Sequence, residues 1–133
     1  MMRAAVDSVE RVLILQADAS GYDRLIEQLV SPPASVVFDG GAIDDRSSPI
    51  GTLNVGAGDG LIVIGVEAQH ISIVGSREAL EALAADIRAF VEHNDLLEPG
   101  VHSHIEPGWT PSGGCYLAEH SASVLLAGPI PHE

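Results

Sequence analysis

HISIVGSREALEALAADIRAFVEHNDLLEPGVHSHI, residues 70–105, is the stretch that decides the fold. Ile71 and Ile73 alternate with Ser72, the period of a strand with one face drier than the other. Ser76 then stands where a helix N-cap belongs, and Glu78 falls in the first turn, where a negative charge suits the helix dipole. Leu80, Leu83, Ala84, Ile87, Phe90 and Val91 recur on one stripe, with Glu78, Glu81, Asp86, Arg88 and Glu92 off it. The pattern predicts a helix packed on a sheet by one face, closed at His93 and Asn94 and kept from resuming by Pro99 and Gly100. A second strand follows in PGVHSHIEP, which carries the chain's one tight histidine pair.

Working outward toward the N-terminus, LIVIGV, EAQ and HISIV read as a hairpin. TLNV and LIVIGVEA flank GAGDG, residues 56–60. Its glycines resemble a phosphate-cradling loop, but such a loop needs a helix after it and here a strand follows, so a hairpin turn is expected. Val12 to Leu15 form a continuous apolar run suited to a central strand. Ser20 is the expected cap of a helix over GYDRLIEQLV, which must end before Pro32. SVVFDG is a brief strand candidate, and Gly40 to Pro49 an exposed loop. Toward the C-terminus, VHSHIEP, GCYLAEH and SVLLAG read as three short strands, with Trp109 in a loop between the first two.

RVLILQADASGYDRLIEQLV and HISIVGSREALEALAADIRAFV share a strand, a Ser-bearing turn and an amphipathic helix, which either an old duplication or shared physics produces. The expected fold is α+β, a mostly antiparallel sheet with two helices packed on one face. It forms one domain over 1–133, with a strand–helix–strand part in 1–60 and a hairpin–helix–strands part in 61–130.

The chain's 133 residues suffice for a single core, and with 46% apolar but only 4% aromatic residues that core is aliphatic. No run approaches the ~20 apolar residues of a membrane helix, nor does the N-terminus hold a signal-peptide core, so a cytoplasmic protein is expected. Nineteen acidic residues face six basic ones, all arginine, for a net charge of −13. That field repels nucleic acid and would steer in a basic protein partner, though net charge argues for solubility as readily as for binding. Cys115, the single cysteine, can form no internal disulfide, and nothing around it marks a nucleophile.

His102 and His104 are two apart, so on a strand both imidazoles share a face, and Glu106 would join them. Such a set could hold a divalent metal, yet no ligand-spaced partner such as HExxH accompanies it, and an interface role is preferred. No GxSxG-type turn marks a catalytic serine. The expectation is a non-enzyme with no cofactor. The alternative is a small metal-binding protein or enzyme using His102, His104 and Glu106.

HISIVGSREALEALAADIRAFVEH, followed by HSHIEP and HSASVLLAG, resembles the immunity protein 32 family of bacterial toxin systems over His70 to Gly128. The resemblance implies a small cytoplasmic protein that binds and neutralises a cognate toxin. A basic toxin would meet the exposed acids Glu78, Glu81, Glu92 and Asp95 around the long helix. It would also meet Asp44 and Asp45 in the loop and His102, His104 and Glu106 on the strand. Homodimerisation is left open.

Overall fold

The computed structural model describes residues 1–67 and 70–131. Among them the chain runs β1 (Met2–Asp7), β2 (Val12–Ala17), α1 (Ala19–Leu29), β3 (Ala34–Val37), β4 (Ser48–Ile50), β5 (Thr52–Ala57), β6 (Val63–Glu67), β7 (His70–Gly75), α2 (Arg77–His93), β8 (His102–Ile105) and β9 (Ser123–Ala127). The fold is α+β with mostly antiparallel pairing, and its strands divide into two sheets, ordered β4-β1-β2-β9-β8 and β3-β5-β7-β6.

The two sheets share one plan. β1 and β2 form a hairpin, α1 follows, and the next hairpin-like pair, β3 and β5, lies in the other sheet. β6 and β7 form a hairpin, α2 follows, and β8 and β9 return to the first sheet. The parallel pairs, β2 with β9 and β5 with β7, occupy equivalent places where one half's strand lies on the other's. The entries differ: β4 forms a short antiparallel ladder with β1 just before β5, whereas before β9 the chain touches the β6 side only through an isolated parallel bridge, Leu117 with Ile62, and bonds from Ala118 N to Ile62 O (2.8 Å) and Ala122 N to Ile64 O (3.2 Å). The echo between the two strand–helix stretches is therefore an echo of topology, with each half completing the other's sheet.

Alternation sorts each strand between a core face and an outer face. Met2, Ala4 and Val6 of β1, Leu13, Leu15 and Ala17 of β2, and Val124 and Leu126 of β9 point inward. Leu53, Val55, Ile64, Ile71 and Ile73 do so from the other sheet, and all join one aliphatic core with the apolar stripes of both helices. The helices meet through Tyr22 and Phe90, whose rings pack edge to face at 5.8 Å. The Tyr22 hydroxyl lies 2.6 Å from Ala127 O and 3.1 Å from Leu15 O and accepts from Ala127 N, so α1 is fastened to the end of the β2–β9 ladder.

Several local expectations change. GAGDG is not a hairpin turn: β7 lies between β5 and β6, so the glycine loop crosses from an inner strand to the sheet edge. The EAQ turn between β6 and β7 includes residues 68–69, outside the described residues. The cap of α1 is Asp18, whose carboxylate accepts from Gly21 N at 2.9 Å, and Ser20 sits within the first turn. The loop after β3 contains the short β4, while GCYLAEH makes only an isolated bridge, Ile62 with Leu117. Asp86 was expected on the solvent side of α2 and is 4% exposed. Hydroxyls from Ser112 (3.2 Å) and Tyr116 donate to its Oδ2, which makes a carboxylate tolerable there. Burial, and then the adjacent Asp86 carboxylate, push the Tyr116 phenol strongly up. No described helix is long and apolar enough to cross a membrane.

Candidate functional site

The outer face of the five-stranded sheet carries a cleft of about 370 Å³, within the range of small-ligand and anchor-residue pockets. The strand register builds its floor. Gln16 faces Arg3 on one side and Ala127 on the other, and Ala127 faces His102. One step along, Ile14 lies between Ala5 and Leu125, and Leu125 faces His104. A polar row and an apolar row thus run side by side. Arg3 stays outside the cleft, its guanidinium against Gly41, and its buried Nε has no hydrogen-bond partner among the described residues.

Three loops raise the walls: Ile43 and Asp44 from the segment before β4, Gly100 and Val101 before β8, and Gly128, Ile130 and Pro131 after β9. The last two are stitched together by Gly100 N to Ile130 O and Gly128 N to Val101 O, both 3.0 Å.

The polar groups of the cleft are mostly acceptors. Asp44 Oδ1 accepts from Arg46 N (2.9 Å), Ser47 N (2.8 Å) and the Ser47 hydroxyl (2.8 Å), leaving Oδ2 without a partner among the described residues. The Ser47 hydroxyl bond, followed by the two backbone bonds, holds this carboxyl below the usual aspartate range despite some opposing desolvation. His102 Nδ1 lies 2.9 Å from Gly100 O. A carbonyl can only accept, so in the neutral ring Nδ1 carries the proton and Nε2 presents a lone pair. Gln16 is 6% exposed, lines the cleft, and has no side-chain hydrogen bond among the described residues.

The sequence-expected residues fall into separate groups. His102 and His104 share the outer face, their rings edge to face at 5.3 Å, and Asp44 joins them in the cleft lining. Asp45 is exposed in the same loop. Glu106 is exposed beyond the end of β8, in the turn closed by Glu106 N to Trp109 O (2.8 Å), and does not line the cleft. Glu78 and Glu81 are exposed on α2, Glu81 pairing with Arg77 at 3.1 Å, while Glu92 and Asp95 are exposed near its other end. Among the described residues no three His, Cys, Asp or Glu side chains converge as a metal would need. Gln16, Ile43, Leu125 and Ile130 were not singled out from sequence. The only available signal was one glutamine in the buried run Val12–Ala17.

No protein-family model matches the chain, and no solved structure matches it. It is similar to a protein named Ribonuclease HII from Sphingopyxis alaskensis, 28% identical over 129 residues, which cover 97% of this chain. The chain spans 56% of that relative's length.

Proposed function

We propose that this chain is an acidic binding protein that neutralises a basic protein toxin by direct contact, with the cleft face of the five-stranded sheet as its docking surface. The observation that carries the reading is the cleft itself: an apolar floor on an exposed sheet face, rimmed by an ionised carboxylate and two imidazoles, in a chain of net charge −13 without lysine. The chain also exposes large apolar side chains, Trp109 at 57% and Leu97 at 71%, of the kind that anchor protein interfaces. The test is co-expression with the product of the adjacent reading frame. Survival of the cells and a complex that persists through gel filtration are expected; death at the rate seen without this chain would overturn the reading.

The similarity to a ribonuclease supports a second reading, hydrolysis of RNA. Two-metal nucleases need converging carboxylates, and the described residues bring no such group together, so binding takes precedence. Magnesium-dependent cleavage of an RNA substrate by the purified chain would reverse that order.

A further inference from the structure

The cleft is specific enough to name what enters it. Most of its lining is aliphatic, with Ile14 and Leu125 in the floor and Ile43, Val101 and Ile130 in the walls, so its occupant needs an apolar stem. Its polar side chains are Asp44, His102, His104 and Gln16; Asp44 Oδ2, the Nε2 lone pair of His102 and the Gln16 amide oxygen can all accept, so a head that donates several hydrogen bonds suits it and is favoured if cationic. Gln16 is the second, independent sign of a ligand: it is 6% exposed, and its amide, bonded to no described residue, keeps its open side in the cleft and is available to a ligand. We propose that the cleft receives an arginine side chain of the partner protein, its stem over Ile14, Leu125 and Ile43 and its guanidinium toward Asp44, His102 and Gln16. This rests on the binding-protein reading above and names the anchor that the reading needs.

Arginine suits the cleft better than lysine. Its planar head offers five donors in a fixed fork and sheds water more easily than an ammonium, whereas lysine brings a compact, strongly hydrated point charge. Asp44 suits the role because its Oδ1 is already held by three bonds from Arg46 and Ser47. The carboxylate arrives pre-oriented, and little side-chain freedom remains to be lost on binding. Arg3, beside Gln16 in the strand register, has its guanidinium against Gly41 and does not line the cleft, while Arg46, whose charge also favours the ionised Asp44, forms no ion pair with it among the described residues.

The experiment uses the full chain and N-acetyl-arginine amide as the probe, followed by amide chemical shifts in NMR. N-acetyl-citrulline amide, which keeps the shape and loses the charge, and N-acetyl-norleucine amide, which keeps only the stem, are the controls. The arginine probe is expected to shift the amides of Gln16, Leu125, Ala127 and His102 in a saturable way, with both controls at least about tenfold weaker, as loss of a charge-assisted contact implies. Asp44→Asn, which retains the turn-forming oxygen, and Gln16→Met, which keeps the volume, should each weaken the probe by a similar factor with the rest of the spectrum unchanged. Asp45→Asn should not. Equal binding of citrulline, or shifts spread over the acids of α2 with none at the cleft, would overturn the proposal. So would unaltered toxin affinity in Asp44→Asn and Gln16→Met, with the neutralising role then standing alone. A probe that binds as expected beside a toxin that does not would instead leave the cleft's ligand standing and remove the neutralising role.

Discussion

Tyr22→Phe is the perturbation that tests the architecture most directly, because it removes one oxygen and leaves the ring in place. Tyr22 is fully buried, and its hydroxyl serves Ala127 on both sides, accepting from the N–H at 3.0 Å and lying 2.6 Å from the carbonyl. Burial pushes this phenol strongly up, partly offset by the Ala127 bond, so it is the neutral form that makes these contacts. Phenylalanine keeps the edge-to-face packing on Phe90 and the core volume, so no transfer or cavity cost arises. What is lost is one donated bond and the acceptor of the Ala127 N–H. An unsatisfied buried group costs about 1–3 kcal/mol, and because Ala127 is only partly buried a figure of about 2 kcal/mol is appropriate. With an unfolding entropy of about 2 cal/mol/K per residue, a chain of this length should melt roughly 7 °C lower. Urea denaturation should give the same free-energy loss at unchanged m-value, and the Ala127 amide should exchange its hydrogen faster than its neighbours on β9. A melting temperature within a degree of wild type, with Ala127 still protected, would refute the idea that α1 fastens the β2–β9 ladder through this oxygen.

Other outcomes follow from the same framework. Leu83, 1% exposed on α2, should not tolerate Leu83→Asp: an unpaired charge in that core is expected to consume most of a stability on the order of 5–15 kcal/mol, leaving little native far-ultraviolet dichroism at 37 °C. The chain's two tyrosines both have phenol groups raised above the ordinary value of 10.0 in the folded state. Their contribution to stability is therefore complete below pH 10 and is lost as pH rises above it. The tyrosinate absorbance should appear together with unfolding, and its appearance in a chain still folded by dichroism would contradict both burials. Reversing Asp44 and Asp45 to Arg should slow association with a basic partner, most at low salt, as stopped-flow rates across a salt series read out; Asp44→Arg also gives up the three bonds its Oδ1 accepts, so it is the single Asp45→Arg that should leave the melting temperature within about 2 °C.

The parts of the fold that could be read from the sequence are those in which local pattern and tertiary setting agree. The stripe on α2 and its Ser76 cap, the apolar run of β2 and the β6–β7 pairing all follow from spacing alone. β1 was not read, because MRAAVD buries alanines whose small side chains give a weak alternation. The β5–β6 hairpin was misread for a different reason. A short glycine loop between two strands suggests that they are neighbours, but β7 pairs in parallel with β5 through a contact that no local pattern encodes. Asp86 shows the same limit in one side chain, since the hydroxyls that make its burial tolerable come from residues 26 and 30 positions away. In the cleft, the histidine pair was visible as a motif and Asp44 as an exposed acid. Their adjacency, with Gln16 beneath, depends on β2, β9 and β8 lying side by side and on a loop that returns over them.

The exchange of strands between the two halves has a consequence for how the chain must acquire its structure. The partner of β2 is β9, more than a hundred residues downstream, so the first hairpin and its helix are made long before the strand that completes their sheet. Until β9 arrives, β2 presents an unpaired edge that includes Leu13, Ile14 and Leu15, a template for any other extended chain nearby. Closing so distant a pair costs loop entropy before any contact rewards it, which places the final strand on the slow part of the folding path. During synthesis the first half is therefore an open sheet awaiting its last segment, and the interval between making β2 and releasing β9 is when the chain is most exposed to aggregation.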